Sequence, residues 1–452
     1  MESRFNKIIV KIKEPAVVKK FNPYISWAKT AGPILPDWIP GQTLYEVYPR
    51  GFSDAGNFEN VRINFKRFQD LGIGFIWLMP VYPIGEEGRK GDLGSPYAVK
   101  EYFKVNPEYG NKNDLKKLVD EAHKLGFKVL VDMVANHVAS DYSELKNNPK
   151  LVKRDKKGQP VRKVADWTDI ADLDYKNTST REHMHKVITY WLKEFNLDGY
   201  RCDVAGMVPP DFWESVFPDL QKINPNVYML AEWDGSYMHE KVFHSTYDWV
   251  MYELMKDVFD GKESAFILLE WQEIHKKTYP KNALPLRFLE NHDLPRATKT
   301  FGKKGLIPFL TFIFSINGLP LIYTGQETGT SDYLSLFDKD SVNWKDQDNY
   351  IYGIYKHLIS LRKKIPAMYS PEVKICIHNQ IPDILIYEKT DGKSKIFVLL
   401  NVRDKEIKVR PHKNVIERLI AAKVLFNSED VLPLKKENLI LKPYQSIIYS
   451  TH

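Results

Sequence analysis

Three carboxylic acids lie in short polar motifs, and each motif follows an apolar, strand-like run. Asp203 lies in GYRCDVA, Glu232 in LAEWD and Asp293 in ENHD. Retaining glycoside hydrolysis needs two carboxyl groups, one protonated as the general acid and one ionised as the nucleophile, and it passes through an oxocarbenium-like transition state. A third carboxylate can hold the sugar and favour its distorted ring. Together the three motifs predict a glycosidase.

The residues around two of these carboxylates suit the two roles. Arg201 precedes Asp203 by two positions, so both side chains lie on the same side of a strand. A cation there would keep Asp203 ionised, as a nucleophile requires. Glu232 has the apolar neighbours Met229–Ala231 and Trp233, which would raise the pKa of its carboxyl and keep it protonated. We therefore expect Asp203 as the nucleophile and Glu232 as the general acid.

Histidines and amides lie at the ends of two further strand-like runs. Asn291 and His292 belong to the ENHD motif, and Asp132, Asn136 and His137 belong to DMVANH. Their side chains suit hydrogen bonds to sugar hydroxyls. Any one of them alone is explained as well by a structural hydrogen bond or ion pair near a strand end. The constellation as a whole favours a functional site.

Eight strand-like runs alternate with helical segments, which favours a (β/α)₈ TIM barrel of the α/β class. An open doubly wound sheet is less well supported, because no glycine-rich phosphate loop follows the first strand. Such barrels place active sites at the carboxyl ends of their strands. The predicted strands are Leu44–Tyr48, Gly74–Met79, Lys128–Met133, Gly199–Asp203, Val227–Glu232, Thr246–Val250, Leu286–Glu290 and Leu319–Tyr323. The clearest predicted helices are Val61–Leu71, Asn113–Leu125, Arg181–Phe195 and Tyr350–Lys364.

The character of the sequence divides the chain into three domains. Residues 1–40 form a proline-punctuated N-terminal arm, and residues 41–365 hold the barrel repeat. Residues 138–180 are polar without clean periodicity, which indicates a short subdomain inserted after the third strand. Residues 366–452 change to alternating strands with turn signals, and they predict a C-terminal antiparallel β-sandwich domain.

Composition narrows the class of protein. The chain has 452 residues, of which 43% are hydrophobic and 27% charged, as in an ordinary soluble protein. Its net charge of +7 is spread along the sequence without a nucleic-acid-binding motif, so we expect no nucleic-acid partner. Cys202 and Cys376 lie far apart in sequence, and no disulfide framework is inferred.

Hydrophobic segments are short throughout the sequence. No segment approaches the roughly 20 apolar residues that a membrane helix needs. The N-terminus also lacks the apolar core of a signal peptide. We therefore expect no membrane partner and a cytoplasmic location, while the oligomeric state stays open.

Five motifs are similar to the signatures of the α-amylase superfamily, glycoside hydrolase family 13. They are DMVANH (132–137), IADLD (170–174), GYRCDVA (199–205), Glu232 with its preceding strand, and NHD (291–293). The resemblance covers roughly residues 41–365 and extends to the usual C-terminal β domain. The GSPY and GMVP stretches resemble intracellular or oligosaccharide-acting members in particular.

The resemblance implies a role for each matching residue. Asp203 would be the nucleophile, Glu232 the acid/base and Asp293 the carboxylate that binds and distorts the sugar. The stretch ENHDLPR resembles oligosaccharide α-glucosidases, in which the arginine, here Arg296, helps to bind the sugar. The subsite next to the cleaved bond would be lined by Arg201, His137, His292 and Tyr97, with Tyr97 as a stacking platform.

Calcium is a doubtful cofactor on these residues, and no cofactor is expected to be required. Many amylases have a Lys-His pair shortly after the nucleophile that helps to hold calcium, but this chain has Ala-Gly-Met at 205–207. Asn136 matches the calcium-ligand position of the family, and Asp172 or Asp174 would be candidates to assist. A hydrogen bond from Asn136 to backbone across the barrel rim explains that residue at least as well.

The expected substrate is an α-glucan oligosaccharide, cleaved at α-1,4-glucosidic bonds in maltooligosaccharides or dextrins. A 4-α-glucanotransferase and an exo-acting α-glucosidase are the alternatives, because the same carboxylates serve all three. A non-catalytic, amylase-like binding protein is more remote, since those proteins carry a membrane helix and lose catalytic carboxylates. A phosphate-dependent enzyme on the same barrel has no phosphate-binding glycine motif in its favour.

Overall fold

The computed structural model of the chain describes residues 30–376, 381–409, 413–430, 433–435 and 438–451. The predicted N-terminal arm therefore lies mostly outside the described residues.

Eight parallel strands close into a barrel, which confirms the predicted fold. The ten strands up to residue 323 are β1 (Leu44–Val47), β2 (Phe75–Leu78), β3 (Lys128–Val134), β4 (His137–Ala139), β5 (Ile170–Asp172), β6 (Gly199–Asp203), β7 (Tyr228–Ala231), β8 (Ser245–Tyr247), β9 (Leu284–Arg287) and β10 (Leu319–Tyr323). The barrel order is β1-β10-β9-β8-β7-β6-β3-β2. Since β1 pairs with both β10 and β2, the sheet closes on itself.

Helices follow the barrel strands on the outside. They are α1 (Pro49–Phe52), α2 (Phe58–Ile63), α3 (Phe65–Leu71), α4 (Lys112–Lys124), α5 (Thr178–Glu194), α6 (Pro210–Ile223), α7 (Trp249–Phe259), α8 (Phe266–Thr278), α9 (Ala297–Phe301), α10 (Leu306–Phe314) and α11 (Asn349–Lys364). The single helix predicted over Val61–Leu71 is wrong, because Asn64 ends α2 and begins α3.

Two predicted strands need correction. The strand predicted over Thr246–Val250 ends at Tyr247, since the side chain of Asp248 accepts a hydrogen bond from the backbone N–H of Met251 and caps helix α7. The strand predicted over Leu286–Glu290 lies earlier, as β9. In both places buried apolar residues continue across the boundary, so hydrophobicity alone cannot locate it.

The barrel interior changes from apolar to charged along its axis. Leu44, Phe75 and Leu130 belong to one buried apolar cluster inside the barrel. Two residues further along their strands, where the side chain points to the same face, β1 carries Glu46 and β3 carries Asp132, both buried. The packed interior therefore ends in a layer of charged side chains at the carboxyl ends of the strands.

The segment after β3 is short and folds against the barrel rim. Its strands β4 and β5 pair in antiparallel fashion, with His137 opposite Asp172. This pairing places the end of the DMVANH motif beside the IADLD motif.

The C-terminal part consists of antiparallel strands, as predicted. They are β11 (Val373–Ile375), β12 (Ile384–Thr390), β13 (Lys395–Asn401), β14 (Ile407–Val409), β15 (Lys423–Asn427), β16 (Leu434–Lys435), β17 (Asn438–Leu441) and β18 (Ser446–Thr451), with helix α12 (Lys413–Ala421) between β14 and β15. A five-stranded sheet, β11-β12-β13-β18-β15, shares an apolar core with the three-stranded sheet β14-β17-β16.

The five-stranded sheet buries both of its faces. Ile384 and Ile386 on β12 point into the core between the two sheets. Leu385 and Tyr387 alternate with them and belong to the large core of the barrel. The hydroxyls of Tyr387 and Ser315 lie 2.6 Å apart, next to helix α10. The C-terminal sheet therefore packs directly on the barrel helices.

Candidate active site

The carboxyl ends of the barrel strands hold the candidate catalytic side chains. Asp203 ends β6, Glu232 directly follows β7, and Asp293 lies in the segment after β9. A pocket at this end of the barrel brings together Tyr97, His137, Asp203, Glu232, His292 and Asp293.

One guanidinium contacts three carboxylates below this pocket. Nη1 of Arg201 donates to both carboxylate oxygens of Asp132, at 2.9 and 3.1 Å, and to Oδ1 of Asp203 at 3.1 Å. Its Nη2 forms an ion pair with Oε1 of Glu232 at 2.8 Å, outside hydrogen-bond geometry. The Trp77 indole lies 4.9 Å from the guanidinium carbon. Arg201 thus lies beside Asp203, on the side that the two-residue spacing predicts, and it is fully buried.

Burial raises the pKa of the Asp203 and Glu232 carboxyls, each to about 7, although the Arg201 guanidinium opposes the shift. Asp293 adds to the rise at both groups through its negative charge. The backbone N–H of Val204 donates to Oε2 of Glu232 at 2.7 Å. Since ionisation of one acid disfavours ionisation of the other, the pair can hold one proton near neutral pH.

His292 connects β1 to the rim of the pocket. Its Nδ1 hydrogen-bonds to Oε1 of Glu46, and its Nε2 lies 2.8 Å from the Tyr97 hydroxyl. That hydroxyl in turn donates to Asp132 at 3.1 Å. Burial opposes protonation of His292, but the carboxylates of Asp293 and Glu46 outweigh it and raise the pKa of His292 to about 9. The cationic ring therefore fixes Tyr97, which stacks on it with the ring centroids 5.3 Å apart.

His137 is held as a neutral ring beside Asp203. Burial lowers the pKa of His137 to about 4. The Asn136 amide nitrogen donates to Nδ1 of His137 at 3.2 Å, which leaves the proton on Nε2. That nitrogen lies 3.9 Å from Oδ2 of Asp203.

The sequence matches the family described as alpha amylase, catalytic domain, over residues 46–167 and 155–347. The chain belongs to the alpha-amylase family. Every candidate site residue lies within the matched range.

The relatives found among curated proteins and solved structures are also glycoside hydrolases of the alpha-amylase family. The structure of the maltogenic alpha-amylase AmyB from Thermotoga neapolitana has a TM-score of 0.83 and 32% identity, covering 91% of this chain and 98% of that one. An alpha-amylase structure from Lactobacillus plantarum has a TM-score of 0.82 and 30% identity, with coverage of 91% and 99%. Alpha-amylase 2 of Dictyoglomus thermophilum is 28% identical over 78% of this chain, which spans 65% of that relative.

Arg296, which the sequence predicts to contact the sugar, is not among the side chains that line the pocket. Its Nη1 donates to Glu290 at 2.7 Å and to the carbonyl of Thr324 at 2.9 Å, and its Nε donates to the carbonyl of Asp332 at 2.8 Å. These contacts join the segment after β9 to the segment after β10. Its Nη2 is buried without a hydrogen-bond partner among the described residues. Arg296 therefore braces two loops of this alpha-amylase family member, and its contact with sugar stays a prediction.

The residues that would hold calcium in an alpha-amylase have other partners here. Asn136 is bonded to His137, and Oδ2 of Asp172 lies 3.3 Å from the ammonium of Lys153. Oδ1 of Asp172 is buried without a hydrogen bond from the described residues, but calcium takes six to eight oxygen ligands. Among the residues described, no group of three or more His, Cys, Asp or Glu side chains is placed to hold a metal. The expectation that no calcium is required stays a prediction.

Several pocket residues lie outside the predicted set. Lys90, Trp167, Asp169 and Phe337 line the pocket from loops, and Glu46 supports it from β1. The loop residues belong to stretches without periodicity. Glu46 had one available signal, a lone charge in the apolar run LYEV.

In the described part of the chain, no helix is long and apolar enough to cross a membrane.

Proposed function

We propose that the chain is a retaining glycoside hydrolase that cleaves α-1,4-glucosidic bonds in maltooligosaccharides or dextrins through a covalent glycosyl-enzyme. The observation that supports this most is the single guanidinium of Arg201, which contacts both Asp203 and Glu232. Two carboxyl groups on one guanidinium are close neighbours. Retaining enzymes use such a close pair, whereas inverting enzymes need room for a water between the two groups.

In the first half-reaction, Asp203 attacks the anomeric carbon as a carboxylate. Arg201 and the cationic His292 favour its ionised form, so we assign the first proton loss of the pair to Asp203. Glu232 keeps its proton and gives it to the glycosidic oxygen as the bond between that oxygen and the anomeric carbon breaks. This leaves a glycosyl ester on Asp203 and a shorter glucan with a free hydroxyl.

In the second half-reaction, Glu232 acts as the base. It takes a proton from a water molecule, whose oxygen attacks the anomeric carbon while the ester bond to Asp203 breaks. Both carboxyl groups return to their starting protonation states. Asp293, whose side chain is 45% exposed, would accept hydrogen bonds from hydroxyls of the same sugar, and the Tyr97 ring would stack against it.

The names of relatives support short α-glucans as substrates. The Thermotoga neapolitana structure is described as a maltogenic alpha-amylase. A relative from Geobacillus thermopakistaniensis, 24% identical over 81% of this chain, is described as a cyclomaltodextrinase. By the same reasoning, the α-glucan oligosaccharide is the partner we propose for this chain, and a cytoplasmic location stays a prediction from the sequence.

The test is to incubate the purified protein with maltoheptaose and to follow product length and anomeric configuration together. We expect only shorter sugars, released first in the α-configuration, which early NMR spectra can resolve. A first product in the β-configuration would overturn the retaining mechanism. Glucose removed singly from a chain end would indicate the exo-acting α-glucosidase.

Two other outcomes would replace the hydrolase. Products longer than seven units would show that sugar outcompetes water at the Asp203 intermediate, as in a 4-α-glucanotransferase. Tight binding of maltoheptaose without any product would favour the non-catalytic binding protein.

A further inference from the structure

A loop segment joins the two flanks of the active-site pocket. This wall segment, residues 85–93, follows β2. On one flank, the backbone N–H of Glu86 donates to Oδ2 of Asp141 at 3.1 Å. On the other flank, the backbone N–H of Leu93 donates to the carbonyl oxygen of Phe337 at 2.8 Å. Because Lys90 of this segment and Phe337 both line the pocket, the wall segment forms part of the pocket wall.

Two glycines let the wall segment lie against both flanks. At Gly88, which has a φ of +70°, a Cβ would lie 2.8 Å from the carbonyl oxygen of Thr168 and 3.3 Å from Cα of Asp169. At Gly91, with a φ of +61°, a Cβ would lie 2.7 Å from Cβ of Phe337. A side chain at either position would push the wall segment outward. Gly88 therefore lets the wall segment pack against the backbone of Thr168 and Asp169.

Asp169 is a buried carboxylate that the catalytic steps do not use. It is only 4% exposed and it lines the pocket. Within the described residues its Oδ2 receives no hydrogen bond. The Trp167 ring, 5.3 Å from the ring of His137, supplies an apolar face in the same part of the pocket. Since burial of a carboxylate without a partner is costly, an acid kept in this position indicates a ligand that completes its hydrogen bonds.

We propose that Asp169 is a specificity-determining residue that accepts hydrogen bonds from hydroxyls of a glucose unit held in the pocket beside the wall segment. This inference rests on the proposed function and deepens it. A carboxylate can only accept hydrogen bonds, and sugar hydroxyls can donate them. The substrate would therefore supply the donors that the described protein residues do not.

The first test is the kinetics of Asp169→Asn with maltotriose. An amide of the same size loses the charge that strengthens the hydrogen bonds, so we expect KM to rise about 10- to 100-fold. We expect kcat to change less than about threefold, because the contact binds ground state and transition state alike. Asp166→Asn is the matched control, since Asp166 is exposed on the same segment, and its KM should stay within about twofold of wild type.

Thermal unfolding separates binding from a structural role. The melting temperature of Asp169→Asn should stay equal to that of wild type or rise, because a buried unpaired charge is removed. A lower melting temperature with unchanged KM would overturn the proposal and make Asp169 a structural residue. Asp169→Ser gives a second, smaller side chain for the same comparison.

A binding measurement keeps this test independent of catalysis. Maltotriose is titrated calorimetrically into Glu232→Gln and into Glu232→Gln/Asp169→Asn. A Kd at least about tenfold weaker in the double variant supports the proposal, and equal Kd values overturn it. If the wild type hydrolyses no α-glucan, the proposed function fails, while this titration still decides whether Asp169 binds sugar.

Discussion

Two fully buried arginines, Arg201 and Arg362, lie in contrasting surroundings. Arg201 meets the carboxylates of Asp132, Asp203 and Glu232 at the carboxyl ends of the strands. Arg362, on helix α11, instead donates to backbone carbonyls in the turn before β10. Those acceptors are the carbonyl oxygens of Phe314 at 2.8 Å, Ile316 at 3.0 Å and Gly318.

The acceptors around each arginine indicate a structural role for Arg362 and a role in the protonation of acids for Arg201. Neutral carbonyls do not change protonation, so Arg362 serves to hold a turn, and burial lowers its pKa only to about 9, which leaves it charged at neutral pH. Around Arg201, burial and mutual repulsion raise the pKa of the carboxyls toward neutrality. One buried cation therefore fixes the backbone, and the other sets the reactivity of acids.

The largest expected effect comes from changing Glu232, one of the carboxyl groups that Arg201 contacts. Glu232→Gln removes the proton donor, and we expect kcat/KM on α-glucan to fall about 10²- to 10⁴-fold, because general acid catalysis contributes that much. Initial-rate kinetics with maltoheptaose measure it. Glu253→Gln, at an exposed residue of helix α7, is the control and should keep activity within about twofold. Wild-type activity in Glu232→Gln would remove Glu232 from the mechanism.

Replacement of the structural arginine should show the opposite pattern. Arg362→Met leaves three carbonyls without their donor, and at about 1 kcal/mol or more for each we expect the free energy of unfolding to fall by about 3 kcal/mol. Urea denaturation measures this change. The kcat of the folded variant should remain within about threefold of wild type. A large loss of kcat at unchanged stability would contradict the division between the two arginines.

Acid should affect the two kinds of buried group in opposite directions. Burial lowers the pKa of His239 and His275 to about 3, against about 6.5 in an unfolded chain. The contribution of these two histidines to the stability of the folded protein is therefore lost as pH falls from 6.5 toward 3. The pKa of Glu232 is raised instead, so its contribution is lost as pH rises from about 4.5 through 7.

Differences between variants and wild type isolate these two groups. The stability of His275→Gln relative to wild type should increase as the solution is acidified below pH 6.5. The stability of Glu232→Gln relative to wild type should increase as pH is raised from 4.5 to 8. Urea unfolding at five pH values tests both trends, and parallel curves for all three proteins would refute the assignment.

The smallest expected effect concerns calcium. Because Lys153 already places a positive charge beside Asp172, treatment with a calcium chelator should leave kcat/KM unchanged and shift the melting temperature by less than about 1 °C. Differential scanning fluorimetry with and without chelator checks it. A loss that added calcium restores would establish a metal site at Asn136 and Asp172.

The barrel could be predicted from sequence because its strands are continuous apolar runs that end at polar residues. Strands β6 and β10 have the predicted bounds, Gly199–Asp203 and Leu319–Tyr323. Prediction fails where burial continues past the end of a strand, as at Val250, which is buried in helix α7. There the local cap at Asp248 decides, and that hydrogen bond is visible only in the structure.

The same limit divides the candidate site. Asp203 and Glu232 could be singled out because each lies at the end of a strand and has informative neighbours in sequence. Asp169 and the wall segment could not be singled out, since their place in the pocket depends on contacts between distant parts of the sequence. In the wall segment, for example, Asp92 bonds to Asp338, 246 positions away. The hydrogen bonds of Arg296 to the neighbouring loops could not be predicted either, because a sequence motif does not state which groups a side chain contacts.

Side chains on β12 point alternately into the core of the C-terminal domain and into the core of the barrel, and this limits whether the two parts can be separated. Leu385 and Tyr387 cover the barrel next to α10, a helix in which all nine residues are buried. A chain cut after Lys364 would expose this helix to water and would tend to aggregate. The barrel and the C-terminal sheet therefore depend on each other for burial, and either one placed alone in another protein would need new polar residues on the surface that it exposes.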